Sequence, residues 1–322
     1  MTGLTVIVPC YNEGAQVEEA HRAIGEALQD VSDLEFLFID DGSTDDTLTR
    51  IRNVAADDHR VTYLSFTRNF GLEAAHAAGA RYAAKPWCVQ IDADLQAPPE
   101  EIRKLIAKAA EGYDVVFGIR EDRDDPFIRR IGSNGMHWAA RRLFGIDVPR
   151  GASSFRVIRT SVARTIADLR FGTPYFIAAV PLVGARYALV PTEHRPRTAG
   201  ESKFRVTRLI GYSFELFFSY SWRPFLYVYL AAVVGVLATL LGLGSVGAAL
   251  ALACVAVLAR YLHRFMRDQQ PSRLFYVREA NVELRHEDTI DGGTGRPTPP
   301  VAFQDDETAR PAPPPALREV AS

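Results

Sequence analysis

The stretch Trp87-Cys-Val-Gln-Ile-Asp92-Ala-Asp94-Leu-Gln96-Ala-Pro98-Pro99-Glu100 decides how the chain is read. The apolar run from Trp87 to Ile91 has the length of a buried strand. It leads into two carboxylates one residue apart, Asp92 and Asp94, and then the amide of Gln96. Pro98-Pro99-Glu100 opens a helix, with proline where the first turn has no use for its N–H. Carboxylates delivered at the carboxyl end of a buried strand lie where open α/β sheets bind ligands. Hard oxygen donors at i, i+2 and i+4 suit Mg²⁺ or Mn²⁺, which complete their shells with phosphate oxygens. By spacing alone the same residues also fit a solvated loop with an acidic helix cap.

Outward from this stretch, apolar runs alternate with helical periodicity. Leu4–Pro9 reads as a strand, Pro9-Cys-Tyr11-Asn-Glu13-Gly14 as a turn, and Ala15–Leu28 as an amphipathic helix. Glu35–Ile39 is a second strand, ending in Asp40-Asp41-Gly-Ser43-Thr44-Asp45. Ser43 and Thr44 are candidate N-caps for a helix to about Ala56. Val61–Phe66 is a third strand, followed by Arg68-Asn-Phe70-Gly71 and a small-residue helix, Leu72–Ala84. Ile102–Ala110 is a helix, Asp114–Ile119 a fifth strand, Ser161–Leu169 a helix and Tyr187–Pro191 a short strand. The alternation predicts an α/β fold, Rossmann-like, with a mostly parallel sheet and right-handed crossovers. Tyr11/Glu13, Asp40/Asp41 and Asp92/Asp94 then converge on one sheet edge. Like charges so gathered are costly unless a cation compensates, which favours a metal–nucleotide site. No Gly-rich phosphate loop of the dinucleotide or Walker type is present, so metal is expected to hold the phosphates.

The chain has 322 residues, 48% of them hydrophobic, and a net charge of −2, so bulk charge suggests no nucleic-acid partner. Cys10, Cys88 and Cys254 are scattered, which implies neither a zinc site nor a disulfide framework and fits a reducing compartment. Leu4–Val8 is too short for a signal-peptide core. None of the seven histidines falls in a catalytic pattern.

Val8-Pro-Cys-Tyr-Asn-Glu13, Ile39-Asp-Asp-Gly-Ser-Thr-Asp45 and Asp92-Ala-Asp-Leu-Gln-Ala-Pro-Pro-Glu100 resemble the family 2 glycosyltransferases of the GT-A fold. More narrowly they resemble the dolichol-phosphate mannosyltransferase and bactoprenol glucosyltransferase branch, over roughly residues 4–280. The resemblance implies a nucleotide-sugar donor, with Pro9, Tyr11, Glu13, Asp40, Asp41 and Asp92 lining its pocket. Asp92, Asp94 and Gln96 would manage Mg²⁺ or Mn²⁺ and the diphosphate. It further implies an acceptor loop in which Arg120, Arg129 and Ser133 meet a lipid phosphate, a role that suits the guanidinium fork. Arg197-Thr-Ala-Gly-Glu-Ser-Lys203 resembles the Arg-x-x-Gly-x-Ser-Lys motif of the same branch, bringing Arg197 and Lys203 to the phosphates. Asp94, Arg120, Arg129, Arg197 and Lys203 are thus the candidate catalytic set. In relatives the loop corresponding to Asp147–Arg156 usually carries a glycine directly before Phe155 or one residue earlier; Ser153-Ser154 stand there, and serine resists the left-handed backbone that glycine allows, so the resemblance does not fix the path of this loop. The Gln-x-x-Arg-Trp motif of processive synthases is absent.

Phe225–Ala259 is 35 residues without charge or proline. One spanning helix needs about 20, and Gly242-Leu-Gly-Ser-Val-Gly247 offers a turn, so two short spans are expected at 225–242 and 246–261, with a re-entrant hairpin and a soluble apolar hairpin as the other readings. Arginines flank the pair on both sides, which predicts a multi-pass cell-membrane protein with its catalytic domain and both termini cytoplasmic. The expected organisation is a glycosyltransferase domain at 1–204, an interfacial amphipathic helix at 205–224, the hairpin at 225–261, a cytosolic segment at 262–282 and a disordered tail at 283–322. The implied activity is inverting transfer of a sugar to a polyprenyl phosphate, an acceptor already anionic that needs no general base. Two other readings stay open: a family 2 transferase with a different acceptor, and a non-catalytic nucleotide-binding membrane adaptor. A homo-oligomer is left open.

Overall fold

The computed structural model describes residues 3–120, 135, 138–146, 148–169, 175–195, 221, 223–269, 274–285 and 288–289. Arg129, Ser133, Arg197 and Lys203 lie outside them, as do the expected interfacial helix up to residue 220 and residues 290–322.

Eight strands form one sheet: β1 (Leu4–Cys10), β2 (Leu34–Asp40), β3 (Val61–Phe66), β4 (Trp87–Gln90), β5 (Val115–Arg120), β6 (Ala152–Arg159), β7 (Tyr187–Thr192) and β8 (Val277–Ala280). Their order across the sheet is β7-β5-β6-β4-β1-β2-β3-β8. β2, β1 and β4 are parallel neighbours, as are β2 with β3 and β5 with β7, while β6 and β8 run against their partners. The α/β fold and mostly parallel sheet read from the sequence are therefore observed. β1 and β2 are buried along their whole length, which is why they read as continuous apolar runs.

Helices α1 (Val17–Ala27), α2 (Thr47–Asp57), α3 (Leu72–Tyr82), α4 (Ile102–Ala109), α5 (Thr160–Ala167) and α6 (Phe176–Leu182) cover the sheet. On one face, α3, α5 and α6 pack on Ile7, Leu64, Cys88 and Ile158. On the other, α1, α2 and α4 pack on Val6, Phe36, Val89 and Val157. α3 approaches β1 closely because it is built from small residues. A Cβ at Gly79 would stand 2.4 Å from Ile7 Cγ2.

Three expectations are corrected. The stretch 147–156 is a loop only in its first part, since β6 starts at Ala152 and inserts antiparallel between β4 and β5. Ser154 and Arg156 face α3 while Phe155 and Val157 face the other core, an alternation that the polar pair Ser153-Ser154 hides. The sheet is not complete by residue 204, because β8 adds the last strand beyond β3. Nor does the chain leave the fold at Glu283: Asp288 is buried and accepts a 2.7 Å hydrogen bond from Tyr82 Oη.

Between β7 and β8 lie two long helices, α7 (Arg223–Leu240) and α8 (Gly244–Gln269). Both contain segments long and apolar enough to cross a membrane, Arg223–Leu240 and Gly244–Leu262. α7 begins two residues earlier than expected, and α8 runs on past the charged residues that were expected to end it. The helices meet through small residues, since a Cβ at Gly247 would stand 2.2 Å from Thr239 Oγ1. Leu230, Leu237, Leu240 and Leu252 are exposed along the hairpin. At its base, Ser221 Oγ donates to Phe144 O (2.5 Å), Arg223 Nη1 to Arg142 O (2.9 Å) and Tyr227 Oη to Leu143 O (2.5 Å). These carbonyls end a short π-helical segment, Ala140–Phe144, so the hairpin's foot caps an element that precedes β6.

Gly79→Ala should lower stability by about 1–3 kcal/mol through overpacking against Ile7. Thermal unfolding beside the wild type measures it, and an unchanged midpoint would show that α3 can move off β1.

Candidate active site

The carboxyl ends of β1, β2 and β4 are adjacent, so parallel pairing alone brings the three acidic strand ends together. Two of the loops are knitted to each other. Asn12 N donates to Ser43 Oγ (3.0 Å), Thr44 N to Asn12 Oδ1 (2.8 Å) and Glu13 N to Thr47 Oγ1 (3.0 Å). Ser43 and Thr44 therefore tie the β2 loop to the β1 loop and do not cap α2, whose N-cap residue is Asp46. Pro9 is buried within β1, while Tyr11 stands 44% exposed at the rim with Glu13 half-buried beside it.

Asp40 and Asp41 are both buried and both bonded to protein. Asp40 accepts from Ser43 N (2.9 Å) and Ser65 Oγ (2.6 Å), with Arg278 Nη2 at 3.8 Å. Asp41 accepts from Phe70 N (2.6 Å) and Gly71 N (2.9 Å) and so fixes the loop after β3. Burial pushes the Asp41 carboxyl up to about 6 against the pull of those two amides. These two residues hold the loops at this sheet edge in place.

Asp92 differs. It follows β4 on the face that carries Gln90, and Ser154 Oγ donates to its Oδ2 at 3.2 Å. Its other oxygen, Oδ1, is buried without a hydrogen-bond partner among the described residues. Burial raises the Asp92 carboxyl above its ordinary value and Asp94 adds to the rise, while His76, Ser154 and Arg156 oppose it. Leu95 takes a left-handed conformation (φ 50°), unusual for a branched side chain, and its N–H returns to Asp92 O at 3.2 Å. This tight turn brings Asp94 Oδ1 within 3.2 Å of Gln96 N. A buried carboxylate oxygen with no donor, beside a second carboxylate, fits a hard divalent cation. The two acids are too few to form a cage of three or more acidic, His or Cys side chains among the described residues.

Two histidines missed by pattern reading border the site. His194 Nε2 lies 3.0 Å from Gln96 Oε1, and its surroundings include Asp94 and Arg120. Arg120, at the end of β5, thus sits with Gln96 and His194 at the same sheet edge. Burial and Arg120 lower the pKa of His194. His76, on α3, is buried with Nδ1 3.3 Å from Arg156 Nη2. Burial keeps His76 below its ordinary value and the Arg156 guanidinium down to about 10. The only hint of His194 in the sequence is its place three residues before Arg197; His76 gives none. Arg129, Ser133, Arg197 and Lys203 fall outside the described residues.

The glycosyl transferase family 2 model matches residues 5–166. The uncharacterized glycosyltransferase YkcC of Bacillus subtilis (strain 168) is 32% identical over 235 residues, 72% of this chain and 72% of the relative. An undecaprenyl-phosphate 4-deoxy-4-formamido-L-arabinose transferase of Pseudomonas fluorescens (strain SBW25) is 33% identical over 219 residues, 66% of this chain and 63% of the relative. The glucosyl-3-phosphoglycerate synthase of Mycobacterium tuberculosis shares the fold at a TM-score of 0.50 and 19% identity, over 69% of this chain and 79% of that one. The sheet, the acidic edge and these similarities define a glycosyltransferase of the GT-A fold. The chain belongs to glycosyl transferase family 2.

The Asp41 carboxyl has a pH consequence. Its folded value, about 6, lies above the ordinary 3.8. The folded state therefore binds that proton more tightly, and the resulting stability is fully present below 3.8 and lost as pH rises through about 6. Asp41→Asn cannot titrate, so its urea midpoint should fall less steeply than the wild type's between pH 4 and 6. Identical slopes would remove Asp41 as the source.

Proposed function

We propose that this glycosyltransferase moves a sugar from a nucleoside-diphosphate donor to a polyprenyl phosphate at the cytosolic membrane face. The observation that carries the reading is the union of an acidic donor edge with an apolar hairpin bonded to the same domain. Exposed leucines along both helices suit lipid and would be a liability in water. The hairpin's hydrogen bonds to the carbonyls of residues 142–144 hold the domain close to whatever surface the hairpin enters. The relative named as an undecaprenyl-phosphate transferase supports the same acceptor class.

On this reading Pro9, Tyr11, Glu13, Asp40 and Asp41 surround the nucleoside, and Asp92, Asp94 and Gln96 face the diphosphate. Mg²⁺ or Mn²⁺ fits at Asp92 and Asp94, and such a cation when bound neutralises the departing diphosphate. An oxygen of the acceptor phosphate attacks the anomeric carbon from the face opposite the leaving group. The bond to the donor's diphosphate oxygen breaks, and the configuration inverts. The nucleophile is already an anion, so no side chain has to remove a proton. Arg120, with Arg129, Ser133, Arg197 and Lys203, orients the acceptor phosphate and offsets its charge. His194 holds the Gln96 amide in place.

Membranes containing the chain, given undecaprenyl phosphate, a panel of labelled nucleotide sugars and Mg²⁺ or Mn²⁺, should form a labelled lipid-linked sugar. Transfer only to hydroxyl acceptors would overturn the assignment and favour another acceptor class. Asp92→Asn and Asp94→Asn should each lower transfer by on the order of 100-fold or more. They should also weaken Mn²⁺ binding, read by electron paramagnetic resonance in the presence of UDP or GDP. Full activity in either variant would favour a non-metal role for that carboxylate.

A further inference from the structure

The strand that follows the apolar hairpin does more than finish the sheet. β8 pairs antiparallel with β3, and the register shifts between Ser65 and Phe66, where Val277 and Glu279 are the partners. Arg278 falls in that irregularity, and its guanidinium reaches across the end of β3. It donates to Ser65 Oγ at 3.0 Å and stands 3.8 Å from Asp40 Oδ2, at the end of β2. Asp40 is fully buried, and among the described residues Arg278 is the one cation within ion-pair distance of it. A buried carboxylate without a counter-charge is costly, the more so beside a second buried carboxylate, Asp41.

The residues just before β8 brace Asp41 as well. Thr67 N donates to Tyr276 O at 3.0 Å, Phe275 stacks on Phe66 with ring centroids 5.0 Å apart, and Tyr276 packs on Phe70. The loop so held is the one whose amides, Phe70 N and Gly71 N, grip Asp41. Both carboxylates of the β2 end therefore depend on chain that follows the hairpin.

We infer that the segment after the hairpin is part of the donor nucleotide pocket, with Arg278 the positioning residue that orients Asp40 in its wall. This rests on the donor-site reading above. Arg278 is half exposed, and Asp40 keeps its bonds from Ser43 N and Ser65 Oγ without it, so Arg278→Ala should lower stability without unfolding the chain, which thermal melting beside the wild type checks. A second arginine tests the alternative that β8 matters only as scaffold. Arg52 on α2 forms a bidentate pair with Glu279, holding the same strand without touching Asp40.

The test uses the full chain and measures binding of UDP and GDP with Mn²⁺ by calorimetry, together with KM for donor and for acceptor. Arg278→Ala should weaken nucleotide binding at least 5-fold and raise the donor KM to match, with the acceptor KM unchanged. Arg278→Lys should recover part of the loss. Arg52→Ala should bind within 2-fold of the wild type. Equal binding by Arg278→Ala and wild type would overturn the inference. So would equal losses in Arg278→Ala and Arg52→Ala, which would make β8 a scaffold only. Failure of the wild type to bind any nucleoside diphosphate would instead overturn the donor-site reading, and the inference with it.

Discussion

The structure depends on carrying several carboxylates at one edge of a sheet without letting their repulsion open it. Parallel pairing of β4, β1 and β2 forces Asp92, Cys10 and Asp40 into one neighbourhood. The Cys10 thiol registers the resulting field. Burial first, then Glu13, Asp40 and Asp92, hold it well above its ordinary value. Asp40, Asp41 and Asp92 are stabilised by different means. Asp41 is saturated by two backbone amides, and Asp40 by an amide, a hydroxyl and a guanidinium. Of these three acids at the sheet edge, only Asp92 keeps a buried oxygen with no hydrogen-bond donor among the described residues. Unpaired buried polar atoms cost about 1–3 kcal/mol each, so an acid left in that condition is poised for something that arrives from outside the chain.

Behind Asp92 the pattern continues into the sheet. Gln90 and Arg156 are direct cross-strand partners on β4 and β6, both buried, and face His76 on α3. Gln90 Nε2 and Oε1, Arg156 Nε and His76 Nε2 all lack hydrogen-bond partners among the described residues. The Arg156 guanidinium also lies 4.9 Å from the centre of the Phe176 ring, a favourable contact for a cation removed from water. A positive charge held in this low-dielectric layer acts on Asp92 with little screening, and it opposes the effect of burial there.

What the sequence disclosed and what it hid divide along local and non-local lines. The β1–β4 core and its helices were legible because apolar runs of strand length alternate with helical periodicity, and α3 began at Leu72 as read. The Asp92-Ala-Asp94 turn was legible because its chemistry lies within a few residues. β6 was not, because its polar, half-buried start, Ser153-Ser154, resembles a loop and its burial depends on two strands distant in sequence. β8 was not, because four residues after a long hairpin carry no periodic signal, and only β3 makes them a strand. His194 escaped for the same reason. Its meaning comes from Gln96, which the fold sets beside it.

The placement of the hairpin within the chain follows from the same topology. α7 and α8 are inserted between β7 and β8, so the sheet's edge at β3 stays uncovered until the chain has passed through both helices. An uncovered edge next to Asp40 is unfavourable twice over. It leaves backbone donors of β3 unpaired, and it leaves a buried carboxylate without its guanidinium. β8 removes both deficits, and Arg52 and Tyr63 hold it there through Glu279. The acidic strand ends and the apolar hairpin are therefore linked by chain connectivity as well as by the hydrogen bonds at the hairpin's foot. If the hairpin enters a membrane as proposed, completion of the nucleotide pocket follows its synthesis, and the pocket forms beside the surface where the acceptor resides.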